Sequence, residues 1–147
     1  MHIDFAWLSK QLRLDSMSDE DKAVLAEMIE VEFIPENIPI IHQGTSVQDL
    51  YLLYSGSVTI TQKHGDHAVT LGSREGASTF GEISFFGDEA AIANVIADMP
   101  CEVYKISCRH FRQLMREQSD LALKLMAFIV RSMGGIIRSQ DSIRGSS

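Results

Sequence analysis

The side chains that could bind a metal or act as nucleophiles are sparse and scattered. Among His2, His42, His64, His67 and His110, only His64-Gly65-Asp66-His67 forms a close pair. Its Gly-Asp centre reads as a polar hairpin turn between strands, with no second ligand cluster to complete a metal site. Cys101 and Cys108 are the chain's two cysteines. Neither has a histidine or cysteine at metal or redox spacing, so both read as small, partly buried thiols. No nucleophile stands in a motif with a base. The expectation is therefore no enzyme, no catalytic residue, no metal and no cofactor.

The chain has 147 residues, 45% of them hydrophobic, which suffices for one self-sufficient core and predicts a single domain over 1–147. Its formal net charge of −7 argues against general affinity for nucleic acid, which depends on neutralising phosphates with Lys and Arg. The imbalance is uneven: residues 1–60 hold three basic and ten acidic residues, 61–106 three and seven, and 107–147 seven and three. The most apolar stretch, Leu121 to Ile137, is interrupted by Lys124, Arg131 and Gly134-Gly135 and makes a poor membrane span. With no secretory leader pattern and few cysteines, a soluble protein of the reducing cytoplasm is expected.

Helix signals lie at the two ends. Phe5, Leu8, Leu12 and Leu14 suggest a short helix, and Ser18-Asp19-Glu20-Asp21 a capped start to a second, with Val24, Leu25, Met28 and Ile29 at helical spacing. A β-rich stretch follows around Phe33, with Pro35 and Pro39 as breakers. Between Ile38 and Ile106, short apolar runs alternate with glycine or polar turns: Ile38–Ile41, Leu50–Tyr54, Val58–Thr61, Ala68–Leu71 and Glu102–Ile106. Strands at such close spacing imply a sandwich or barrel. Ser107 then reads as the cap of a helix through Met115, and Ser119-Asp120 as the cap of a longer final helix. The polar residues after Arg138 read as a fraying tail over 139–147.

The run Ile41-His42-Gln43-Gly44 through Asp49, Tyr51, Gly56 and Val58 resembles the first signature of cyclic-nucleotide-binding domains. Gly76 and Phe80-Gly81-Glu82 resemble the second, which opens that family's phosphate-binding cassette. The family includes bacterial catabolite-activator-type regulators, the protein kinase A regulatory subunit and gated channels, and the resemblance runs from about Ser18 to about Met133. It implies a mainly β fold: a β-roll, or jelly roll, over about 38–106, with N-terminal helices and a C-terminal helical pair over about 107–138. It also implies a cassette at Gly81, Glu82, Ile83 and Ser84, with Glu82 at the position that accepts the ribose hydroxyl. The leading alternative for Glu82 is a carboxylate that merely satisfies backbone donors of the loop.

By spacing from Glu82, the family's phosphate arginine and the residue beside it correspond here to Ile92 and Ala93, and no Arg or Lys occurs from Phe80 to Cys101. A fixed guanidinium on an anion contributes roughly 1.5–3 kcal/mol, so tight cyclic AMP or cyclic GMP binding is not expected. Arg74, two residues before Gly76, is a weak substitute. Ile92, Ala93, Val95 and Ile96, with Phe85 and Phe86, make the region apolar, either as core or as a pocket for an uncharged ligand. The expected function is a non-catalytic regulatory or sensor domain that acts by dimerisation or contact with a protein partner. The alternative is a small-molecule sensor that moves its C-terminal helix. In family regulators that helix forms a dimer seam, which places Leu121, Leu125, Phe128 and Met133 at a homodimer interface.

Overall fold

Serine caps start two of the helices where the sequence places them. The Ser18 hydroxyl accepts the Asp21 N–H at 3.0 Å and the Ser107 hydroxyl accepts the His110 N–H at 3.1 Å, each satisfying a donor the helix leaves over. In the computed structural model, residues 2–46, 49–81 and 90–145 are described, with side chains through Ser132. Helices α1 (Phe5–Gln11) and α2 (Asp19–Met28) lead into strands β1 (Ile29–Ile34), β2 (Pro39–Ile41), β3 (Asp49–Ser55), β4 (Ser57–His64), β5 (His67–Glu75), β6 (Ser78–Phe80), β7 (Asn94–Ala97) and β8 (Cys101–Ser107). Helices α3 (Cys108–Glu117) and α4 (Ser119–Gly145) follow. The Ala122 N–H donates to Gln118 O, so α4 begins one residue before the expected Ser119 cap. Its backbone stays helical past Arg138, where a frayed tail was expected, since the polar residues beyond include no proline to stop it.

The strands form two antiparallel sheets, ordered β1-β8-β3-β6 and β2-β7-β4-β5. The central pair β3–β8 is covered on both faces, which accounts for the nearly unbroken burial of Leu50, Tyr51, Leu52 and Leu53. Leu50, Leu52, Tyr104 and Ile106 face the helices, in a cluster with Leu8, Leu12, Leu25, Phe111, Leu114 and Leu125. Tyr51, Leu53 and Val103 face the second sheet, with Val58, Val95 and Ala97. This is the β-roll with flanking helices. Strands β6 and β7 lie outside the runs the sequence marks; each is only three or four residues long, too short to show a period.

The N-terminal helix is held by a polar aromatic clasp. Asp4 caps α1 by accepting the Trp7 N–H at 3.0 Å, and also accepts the Tyr54 hydroxyl at 2.6 Å; its own N–H donates to the Tyr104 hydroxyl at 2.9 Å. Trp7 packs edge-on against both tyrosine rings, with centroids 4.9 and 5.6 Å away. The bond to Asp4 pushes the Tyr54 phenol up to about 12, with burial and the Asp4 charge acting in the same direction.

Two outcomes are expected. Gly56, at φ 101°, turns β3 into β4 with no room for a side chain: a Cβ would lie 2.7 Å from Cys101 Sγ and 2.8 Å from Pro100 O. Gly56→Ala should therefore lower stability in urea unfolding by about 2–3 kcal/mol. The raised Tyr54 value favours the neutral phenol in the folded state, so its contribution is complete below pH 10 and lost as pH rises toward about 12. Tyr51 and Tyr104, raised chiefly by burial, act with the same sign. Tyr54→Phe should thus reduce the alkaline loss of stability without abolishing it, as measured by unfolding at pH 8, 10 and 11.

Candidate ligand site in the roll

The roll's inner wall is built from side chains that alternate along β7 and the residues before it. Ala91, Ala93, Val95 and Ala97 are buried, whereas Ile92 between them is 49% exposed. Backbone pairing fixes this phase: the Gly44 N–H donates to Ala91 O at 2.7 Å and the Ala91 N–H to Thr45 O at 2.8 Å. The Gln62 side chain donates to Ile92 O at 2.9 Å, and Asn94 Oδ1 accepts the Gln43 N–H at 2.9 Å. On the facing sheet, the stacked rings of Tyr51 and Phe80, 5.1 Å apart, lead to Gly81. Gly81 has φ 85°, and a Cβ there would meet Asp49 O at 3.1 Å, so the chain needs glycine to pass.

Among the described residues, Arg74 and Lys105 face the roll, and both are engaged. Arg74 stands opposite Val58 on β5, and its Nε donates to Thr79 O at 3.5 Å. Lys105 stands beside Tyr51 on β8, between Glu30 at 3.5 Å and Glu32 at 3.4 Å. Burial pulls the Lys105 ammonium down, but Glu32, Glu30 and Asp49 outweigh it and hold the value above normal. Burial raises the Asp49 carboxyl, with Lys105 opposing. Glu30, Asp49 and Lys105 border a 340 Å³ cleft with Glu27, Met28, Ile29, Ser107 and His110. Among the described residues, no three His, Cys, Asp or Glu side chains are grouped to hold a metal ion.

A family model for the cyclic nucleotide-binding domain matches residues 31–118. The chain belongs to that family. The cAMP-activated global transcriptional regulator of Pasteurella multocida is 30% identical over 111 residues, covering 74% of this chain and 53% of that protein. The chain thus spans about half the length of the curated relatives it matches. A cyclic nucleotide-binding domain from Methylobacillus flagellatus KT shares the fold at a TM-score of 0.84 and 18% identity, over 97% of this chain and 84% of that one. A guanosine-bound regulatory subunit of a cAMP-independent protein kinase A from Trypanosoma cruzi aligns at a TM-score of 0.66 and 22% identity, over 78% of this chain and 41% of that one.

In this cyclic nucleotide-binding domain, Gly81 passes close to Asp49 O and Tyr51 and Ala93 is buried, while Glu82, Ile83 and Ser84, with Phe85 and Phe86, lie outside the described residues. Ile92 requires correction: the strand alternation turns it to solvent, and the inward neighbours are Ala91 and Ala93. Counting residues from Glu82 cannot register this, because backbone pairing with Gly44 and Thr45 sets the phase. The seam residues Leu121, Leu125 and Phe128 also require correction, since all three are buried in the domain's own helix-side core. Among the described residues, the exposed large apolar side chains of α4 are instead Leu123, Met126 and Val130. The expected seam residue Met133 has its side chain outside the described ones. Lys105 was missed; the signal for it was a lone lysine alternating with the apolar residues of β8, opposite the Glu-rich β1.

The alternation has a measurable consequence. Ile92→Arg should leave stability within about 0.5 kcal/mol, since its side chain enters water. Ala93→Arg, which buries a cation on the inner wall, should cost at least about 2 kcal/mol in the same urea unfolding experiment.

Proposed function

We propose that this domain is a non-catalytic regulatory module that acts by pairing with a second copy of itself through α4, and that it does not hold cyclic AMP or cyclic GMP tightly. The carrying observation is the apolar stripe on α4. Leu123, Met126 and Val130 are 63%, 37% and 64% exposed, while the opposite side, Leu121, Leu125, Phe128 and Ile129, is buried. Their spacing of three and four residues is that of a two-helix seam, and Met133 and Ile137 continue it in the sequence. A second copy of the same helix is the occupant such a self-complementary stripe fits.

The inner wall supports the second half of the reading. A cyclic phosphate is an anion, yet Ala91 and Ala93 offer it no charge, Lys105 is held by two glutamates, and Arg74 is engaged at Thr79 O. The small side chains at Ala91 and Ala93 favour one second reading, an uncharged ligand such as a nucleoside whose binding moves α4. The guanosine-bound Trypanosoma cruzi neighbour lends that reading support by its fold. The unpaired Cys101 and Cys108 fit a cytoplasmic setting.

Sedimentation equilibrium should show a reversible dimer that Leu123→Glu or Val130→Glu converts to a folded monomer. Leu125→Ala should instead lower stability by about 2–5 kcal/mol. A wild-type domain that stays monomeric at high concentration would defeat the pairing proposal. Calorimetry should find no submicromolar affinity for cyclic AMP or cyclic GMP; a guanosine heat that saturates would favour the second reading.

A further inference from the structure

The β6 strand is the outer strand of the helix-side sheet, and the backbone of one residue on its free edge is tied down by two side chains from other elements. The Thr79 N–H donates to Ser132 Oγ of α4 at 3.0 Å, and Thr79 O accepts the Arg74 Nε of β5 at 3.5 Å. The residue that makes both contacts carries a defect. Thr79 stands in the cross-strand row of Leu52 and Tyr104, which face the helices. It is 0% exposed, and its hydroxyl has no hydrogen-bond partner among the described residues. Burying an unpaired hydroxyl is unfavourable, and water would satisfy it if the helix moved away.

Attachment of α4 changes character at the same place. Up to Ile129 it is apolar and buried, through Leu121, Ala122, Leu125, Phe128 and Ile129. Val130 is exposed, and the next two residues are held by polar contacts: Arg131 donates to Gln11 O at 2.8 Å, and Ser132 accepts from Thr79. Water can replace both of these bonds, whereas it cannot replace the apolar contacts. Release of these two contacts therefore costs little and relieves the Thr79 hydroxyl.

We infer that Ser132 is a releasable latch, which joins the strand leading into Gly81 to the C-terminal half of α4, and that the buried Thr79 hydroxyl biases it toward opening. The hinge lies between Ile129 and Arg131. This device is independent of whether copies pair, and it identifies which part of α4 moves.

Amide hydrogen exchange on the intact chain tests it, since exchange reads local opening. Thr79→Val removes the defect but keeps the backbone donor, and should slow exchange over residues 130–136 about fivefold. Ser132→Ala removes the latch and should speed exchange there about fivefold. Peptides covering 121–128 and β8 should not change in either variant, which also verifies the fold. The same shifts are expected in the Leu123→Glu background; their disappearance there would assign them to contact between copies and overturn the latch. No slowing in Thr79→Val, no acceleration in Ser132→Ala, or an even change across 121–136 would also overturn it.

Discussion

The pairing of β3 with β8 is the constraint on which the other elements depend. Leu50 with Ile106 and Leu52 with Tyr104 form rows that look toward the helices, while Leu53 with Val103 looks into the roll. Because side chains alternate across a strand, this single ladder separates two cores and assigns every neighbouring residue to one of them. A slip of one residue would exchange the two faces and turn Lys105 toward the helices. The aromatic clasp at Asp4 fastens α1 to the same ladder through Tyr54 and Tyr104, so the N-terminal helix is positioned by the pair that positions the site.

The site inherits both its shape and its electrostatics from this arrangement. Gly81 enters it through a left-handed turn beside Asp49, and Tyr51 and Phe80 stack to form its base. What the family architecture provides is a small concave wall; what this sequence places on it is methyl groups. The cations near it serve the protein itself, Lys105 by offsetting Glu30 and Glu32, and Arg74 by bonding the edge of β6. Among the described residues, the wall thus presents small apolar side chains, and the cations beside it are engaged by the protein's own groups.

Much of the fold was legible in the sequence because its signals are local. The serine caps at Ser18 and Ser107 act within one helical turn, and the runs at Leu50–Tyr54 and Glu102–Ile106 carry enough apolar residues to announce strands. The two glycine-bearing motifs identified the family because tight turns tolerate little else. The short strands β6 and β7 stayed hidden, since three or four residues cannot display a period. The inward face at Ala91 was likewise obscured, because a count from Glu82 carries no information on the phase of the strand.

The helix α4 marks the division most clearly. From the sequence alone it was evident that this helix is apolar on more than one side, and that no cation stands between Phe80 and Cys101. Composition and spacing are sufficient for both conclusions. Which apolar stripe lies inside was decided only by packing: Leu121, Leu125 and Phe128 fit against Leu8, Phe111 and Tyr104 in one core, leaving Leu123, Met126 and Val130 in water. Helical periodicity fixes the angle between two stripes but not their direction, and direction depends on tertiary contacts, some with residues as distant in the chain as Leu8.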